Sequence, residues 1–226
     1  MQIAPIFQDR ADAGRKLAER VVHSIKDPKV VVLGLPRGGV PVAFEVARAL
    51  GAELDIFLVR KLGLPGHEEL AIGAIASGGV RVLNEALIRE LQLSQSLVDH
   101  ITAREEQELK RREDLYREGR PSIPIRNRTA ILVDDGLATG ASMKAACQAL
   151  RLQQPKRIVI AVPVAARDTC EEFRMDVDEI ICAFTPAQFL AVGMWYENFS
   201  QTTDDEVRRL LEQAERRAVA QHNQGE

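Results

Sequence analysis

Residues 129–142 read TAILVDDGLATGAS: an apolar run, two adjacent acids, a glycine-containing turn and the start of a helix. Strand, loop and helix in that order form the repeating unit of a parallel sheet, because parallel strands need a long crossover between them. Three further runs have the same character: KVVVLGL (29–35), LDIFLVRK (54–61) and RIVIAVPVA (157–165). They are rich in Val and Ile and nearly continuous, as strands covered on both faces should be. Helical patterns follow the first and third runs, VPVAFEVARAL (40–50), with Gly51 as its C-cap, and ASMKAACQALRL (141–152). This alternation predicts an α/β fold, a doubly wound and mostly parallel sheet. In such sheets ligands sit outside the carboxyl ends of the strands, so the loops after residues 34, 60, 134 and 163 are where chemistry is expected.

The rest of the composition agrees with that architecture. A chain of 226 residues with 46% hydrophobic content can bury one substantial core. We expect a single domain over 1–226, with a helical insertion at about 84–128 and a C-terminal segment at about 185–226. Lys+Arg 30 against Asp+Glu 33 leaves a net charge of -3, which gives no global basic field for nucleic acid. The chain has no apolar run of the roughly 18 residues a membrane span requires, so a cytoplasmic protein without membrane or nucleic-acid partners is expected. Cys147, Cys170 and Cys182 are odd in number and far apart in sequence, which fits neither a disulfide framework nor a zinc site. Buried, reduced thiols are expected.

Residues 93–118, LSQSLVDHITAREEQELKRREDLYRE, form a long charged helical pattern with Leu97, Ile101, Leu109 and Leu115 or Tyr116 on one stripe. It reads as a helix packed along the domain edge, with a contact between two copies of the chain in a homodimer as the alternative. Thr203 and Glu206 have capping-box spacing, so a last helix follows, with a polar tail from Ala218.

The central motif carries chemistry of its own. The amides of residues 138–142 would lie at a helix N-terminus, a ready anion site, yet no Lys follows the second glycine as a nucleoside-triphosphatase loop requires. Ionised Asp134 and Asp135 accept hydrogen bonds only, so their partners are donors such as ribose hydroxyls, or a hydrated divalent cation. A ribose bearing a 5-phosphate satisfies both halves of the motif.

VDDGLATGAS resembles the signature of the type I phosphoribosyltransferases: an apolar strand, two acids, a short loop and Thr-Gly-x-Ser/Thr. VGMWYENF (192–199) is similar to a group of those proteins of unassigned substrate. The resemblance implies that Asp134 and Asp135 hold the ribose hydroxyls of phosphoribosyl pyrophosphate. Ala138, Thr139, Gly140, Ala141 and Ser142 would cradle its 5-phosphate. Pro36, Arg37, Gly38 and Gly39, in GLPRGGVP, would bind the pyrophosphate with Arg60 and Lys61, where glycine permits close backbone approach and Arg offers a fork to phosphate oxygens. Arg37 and Lys61 join the two acids as catalytic candidates.

The resemblance also implies a mobile hood-like loop at residues 62–79, a stretch with five glycines and one proline. Here the chain carries His67, Glu68 and Glu69 where other members have basic residues; His67 reads as a proton shuttle or as a simply exposed side chain. The acceptor would be met by Pro163 and Val164 and by the local concentration of Trp195, Tyr196 and Phe199, rings that could stack a planar base or merely dock the C-terminal segment. Ala138 stands where members using 6-oxopurines have Asp, which disfavours hypoxanthine and guanine. The implied reaction displaces pyrophosphate from ribose C1 by a nitrogen nucleophile. Magnesium would be carried by the substrate, with no direct side-chain ligation expected and Asp134 or Asp135 reaching it through water. A regulatory protein that binds phosphoribosyl pyrophosphate or a nucleotide without turnover is the alternative.

Overall fold

The computed structural model describes residues 4–222. Asp9 caps the first helix, α1 (Arg10–Ser24), by accepting from the Asp12 amide at 2.8 Å. A sheet of five parallel strands follows, built from β1 (Val30–Gly34), β2 (Glu53–Ile56), β6 (Thr129–Val133), β7 (Arg157–Val164) and β8 (Glu179–Phe184) in the order β2-β1-β6-β7-β8. Successive residues of its central strands enter opposite cores. Val30, Val32, Ile131 and Val133 meet α1, α2 (Gly39–Leu50) and α7 (Asp204–His222) on one side. Val31, Leu33, Ala130 and Leu132 meet α5 (Ala141–Leu152) and α6 (Arg167–Phe173) on the other. The fold is thus doubly wound around a mostly parallel sheet, as expected. Strand order reverses between β1 and β6, and at such a switch point the carboxyl ends of neighbouring strands open a crevice.

The second apolar run is not one strand. β2 ends at Ile56, the Phe57 amide reaches the Gly34 carbonyl at 3.0 Å, and the Leu58 amide donates to Ser77 Oγ at 3.0 Å. The chain then enters a separate antiparallel sheet of β3 (Val59–Leu64), β4 (His67–Ala76) and β5 (Val80–Leu83). The run looks continuous because Phe57 and Leu58 are both buried, but in opposite cores. The 62–79 stretch, expected as a mobile loop, is therefore mostly β-sheet, with Gly66, Gly78 and Gly79 at the turns, Gly63 within β3 and Gly73 at a close strand approach. A Cβ on Gly73 would stand 2.3 Å from the Val82 carbonyl oxygen. The fifth parallel strand, β8, is short and half-buried and opens on the acids Asp178 and Glu179, so it lacks the continuous apolar run of the others.

The long charged pattern is α4 (Gln95–Arg117), preceded by the short α3 (Glu85–Glu90). Val98, Ile101, Leu109 and Tyr116 bury one stripe of α4 in the core shared with α7, so it packs within the chain. Arg117 seals its end with a bidentate pair to buried Asp55, at 3.1 and 3.2 Å. Thr203 caps α7 through the Glu206 amide at 3.1 Å, as its spacing predicts; the tail expected from Ala218 instead begins as helix, since α7 runs on to His222, and residues 223–226 lie outside the described residues. No helix of the described residues is long and apolar enough to cross a membrane.

Candidate functional site

The two acids stand at the end of β6, in the crevice opened by the switch point. The Asp135 amide donates to Asp134 Oδ1 at 2.8 Å, and the loop after β1 closes the other side. That approach is tight: a Cβ on Gly38 would lie 2.1 Å from Asp135 Oδ2, and one on Gly39 would lie 2.5 Å from the Val133 carbonyl oxygen. Glycine at both positions lets the two loops abut. The Pro36–Arg37 peptide, just before Gly38 in the loop after β1, is cis.

Burial and the neighbouring Asp135 charge push Asp134 well above the ordinary carboxylate range. Asp135 is raised too by burial, but Arg10 opposes the shift. Arg10 is a residue the motif did not reveal. It opens α1, donates from Nε to Asp135 Oδ2 at 2.8 Å and from Nη1 to the Ser200 carbonyl at 2.6 Å, and stacks its guanidinium 4.0 Å over Phe199. No local pattern marks such a residue, because its partners are 125 and 190 positions away.

Gly140 takes the left-handed conformation, φ 70°, and begins α5 without a side-chain cap, so the first amides of the helix point outward unpaired by the chain's own side chains. α6 braces this loop. Thr169 Oγ1 donates to the Ala138 carbonyl at 2.7 Å, and Phe173 lies where a Cβ on Gly140 would stand 2.5 Å from its ring. Thr139 and Ser142 are exposed at the loop, with Ala138 and Ala141 beside them. The five loop residues are thus gathered on one rim of the crevice.

The basic residues are placed less uniformly. Arg37 sits in the loop after β1, but its Nη1 faces Asp204 Oδ1 at 3.8 Å, and the Tyr116 hydroxyl donates to that same carboxylate oxygen at 2.7 Å. Arg60 and Lys61 do not end a parallel strand; both lie in β3, where successive side chains take opposite faces. Arg60 turns to α4 and is held by Glu105 at 2.6 Å, with Glu108 4.0 Å away, so it is already neutralised. Lys61 lines a groove of about 430 Å³ between the antiparallel sheet and α5, together with Ala141 and Lys144. His67 begins β4 with its side chain exposed, while the side chains of Glu68 and Glu69 lie outside the described residues.

The aromatic cluster is an internal strut. Trp195 and Tyr196 are each 5% exposed, with Trp195 packed against Phe184 and Phe189 and Tyr196 against Phe7 and Phe199. The Tyr196 hydroxyl donates to the Asp135 carbonyl, and the Ile6 and Phe7 amides donate to the Trp195 carbonyl. Both rings thus dock the two terminal segments beside the acids, and their faces are covered. Pro163 and Val164 are buried within β7, where the Val164 carbonyl accepts from the Leu137 amide at 2.9 Å. They hold the central motif instead of opening onto the crevice. Gly136 is pressed by Val192, which lies 2.4 Å from where its Cβ would be.

Comparison with known proteins places these features in context. Residues 64–194 match the phosphoribosyl transferase domain. A Mycobacterium tuberculosis protein, found in the CDC 1551 and H37Rv strains under the name "Putative phosphoribosyl transferase", is 50% identical over 211 residues. That match covers 93% of this chain and 47% of its relative, so the chain spans about half the length of the curated relatives it matches. A crystal structure of a Thermus thermophilus protein is 44% identical with a TM-score of 0.81, covering 91% of this chain and 97% of that one.

Proposed function

Because the chain belongs to the phosphoribosyl transferase domain family, we propose that it transfers ribose 5-phosphate from phosphoribosyl pyrophosphate to a nitrogenous base or amine, releasing pyrophosphate. One observation carries the reading: an acid pair at the sheet's switch point lies between an uncapped helix N-terminus and a glycine loop that touches it. Asp134 and Asp135 accept from the ribose hydroxyls. The amides of residues 138–142 take the 5-phosphate without reorganising. The loop at 36–39 takes the pyrophosphate, and Lys61 adds positive charge from β3. As the bond from C1 to pyrophosphate breaks and the C1–N bond forms, these fixed dipoles and charges hold the reacting groups in line, so no covalent nucleophile is needed.

The acid pair also suits a hydrated divalent cation. Arg10 pairs with Asp135 at 2.8 Å, and among the described residues no ion pair reaches Asp134, so negative charge is left over when both are ionised. Among the described residues no group of three or more His, Cys, Asp or Glu side chains is gathered to hold an ion alone. Magnesium would therefore rest on substrate oxygens and water near the acids, where it would neutralise charge on the leaving pyrophosphate.

Calorimetric titration of phosphoribosyl pyrophosphate with magnesium, followed by a screen of nitrogenous acceptors for pyrophosphate release, tests the reading. Saturable binding with release supports it; binding without release by any acceptor favours a regulatory protein; no binding removes it. In the same assay Lys61→Ala should lose turnover by about tenfold with only modestly weaker binding, the pattern of a charge that acts mainly in the transition state. Unchanged turnover would remove Lys61 from the site.

Arg10 acts as a positioning residue through Asp135. Protonated carboxyl groups donate where the ribose needs acceptors, so binding should fall as pH drops through the raised range of the pair. Removing the guanidinium takes away the contact that lowers Asp135. In Arg10→Met the acid limb of binding should therefore move to higher pH, and Arg10→Lys should restore part of the shift. Affinity measured across pH checks this, and a limb that stays in place in Arg10→Met rules the role out.

A further inference from the structure

Cys170 of α6 and Cys182 of β8 are separated by twelve positions in sequence, yet their Sγ atoms are 2.9 Å apart and both are free thiols. Sequence spacing alone gives unrelated, inert cysteines. Folding brings them together because α6 packs against β8 beside the core that contains Cys170, Phe173 and Val177. The two thiols are electrostatically unlike. A hydrogen bond from Cys182, aided by the Arg174 charge, pulls the Cys170 thiol below its ordinary range, whereas Cys182 is pushed up by that same contact and by burial. Burial pushes Cys147, the third thiol, up to about 12.

The position of Cys170 gives the pair its consequence. Its neighbours on α6 are the two side chains that brace the loop at the end of β6: Thr169, bonded to the Ala138 carbonyl at 2.7 Å, and Phe173, seated against Gly140. We infer that Cys170 and Cys182 form an oxidisable dithiol, closed to a disulfide by a hydroperoxide, whose closure shifts α6 and weakens phosphate binding by the 138–142 loop. The Cys170 thiolate attacks one peroxide oxygen, the O–O bond breaks, and hydroxide leaves and is protonated to water. The resulting sulfenic acid is attacked by the Cys182 sulfur, whose proton goes with the departing oxygen as a second water. Two thiols lose two electrons in all, and one hydrogen peroxide becomes two waters. A dithiol reductant reverses the step by exchange.

The effect on binding rests on the proposed function, whereas the cross-link does not, so the two can fail separately. The intact chain is treated with hydrogen peroxide, digested without reduction and analysed by mass spectrometry. Titrations of phosphoribosyl pyrophosphate and of inorganic phosphate are run before oxidation, after it, and after dithiothreitol. A peptide linking Cys170 to Cys182, a loss of two hydrogens in mass, and affinity lowered by about fivefold or more, as for a modest coupling between sites, are expected. Dithiothreitol should restore the affinity. Cys147→Ser should keep the response, and Cys170→Ser and Cys182→Ser should each lose it. Higher oxides without a cross-link, a link through Cys147, or a cross-link that leaves phosphate affinity unchanged would each overturn the inference. Reduced wild-type protein that binds neither ligand while the cross-link forms would overturn the proposed function and the coupling, leaving only the dithiol chemistry.

Discussion

Asp134→Asn is expected to bind phosphoribosyl pyrophosphate about 10- to 100-fold more weakly than wild type, as loss of a hydrogen bond to a charged group implies, and yet to unfold at higher temperature at neutral pH. Both effects come from one feature. Asp134 is half-buried beside a second carboxylate, and its folded pKa is raised above the unfolded value. A group raised in this way favours the folded state only below its unfolded pKa, and that contribution is lost as pH rises through the folded pKa. At neutral pH, above the unfolded pKa, holding this acid in the fold therefore costs stability. Asparagine removes the charge and keeps an oxygen to accept from the Asp135 amide, the bond Asp134 makes at 2.8 Å. The gain should be about 1 kcal/mol, or about 2–4 °C in Tm for a chain of this size. It should vanish in acid, where wild-type Asp134 is itself protonated. Thermal melts at neutral and acidic pH, beside calorimetric titration, decide the matter. A Tm lowered at neutral pH would mean that Asp134 supports the fold instead of costing it stability. The double Asp134→Asn/Asp135→Asn variant should show no saturable binding.

Gly39→Ala should destabilise the fold and weaken ligand binding together. Neither Gly39 nor Gly38 has positive φ, so the argument is one of space alone. The added methyl would stand 2.5 Å from the Val133 carbonyl oxygen and 2.8 Å from Asp134 Cα, and both are backbone atoms at the end of a central strand. Removing glycine's freedom in the unfolded chain gains about 0.4–1 kcal/mol. Forcing a methyl into a packed contact costs about 1–3 kcal/mol, so the clash wins. The helix would have to withdraw from β6, which parts the loop after β1 from the acids. At Gly38 the obstacle is instead the Asp135 carboxylate, 2.1 Å from the built Cβ, and a side chain can swing aside. Gly38→Ala should therefore spare stability relative to Gly39→Ala while disturbing binding as much. Urea unfolding of both variants measures the difference, and an unchanged midpoint for Gly39→Ala would contradict the close approach of the two loops.

Much of this protein is set by local sequence. The doubly wound sheet was legible because parallel strands covered on both faces are nearly continuous apolar runs, and 30–34, 130–133 and 158–164 are. The acid pair and the helix-opening glycine were legible because their chemistry lies in consecutive residues. So was the Thr203 cap, which needs only its own helix. What failed locally was decided by partners far away in the chain. Phe57 and Leu58 look like the middle of a strand until two cores claim them separately. Arg60 looks like a phosphate ligand until Glu105, 45 positions on, takes its charge. Trp195 and Tyr196 look like a stacking platform until the segment around Ile6 and Phe7 covers them. The sequence by itself determined the strand–loop–helix units and the glycine turn that opens α5, since period, polarity and helix ends are short-range properties. Only the tertiary structure decided that Arg10 guards Asp135 and that Cys170 meets Cys182, because each contact joins elements that fold into proximity through the packing of the two cores.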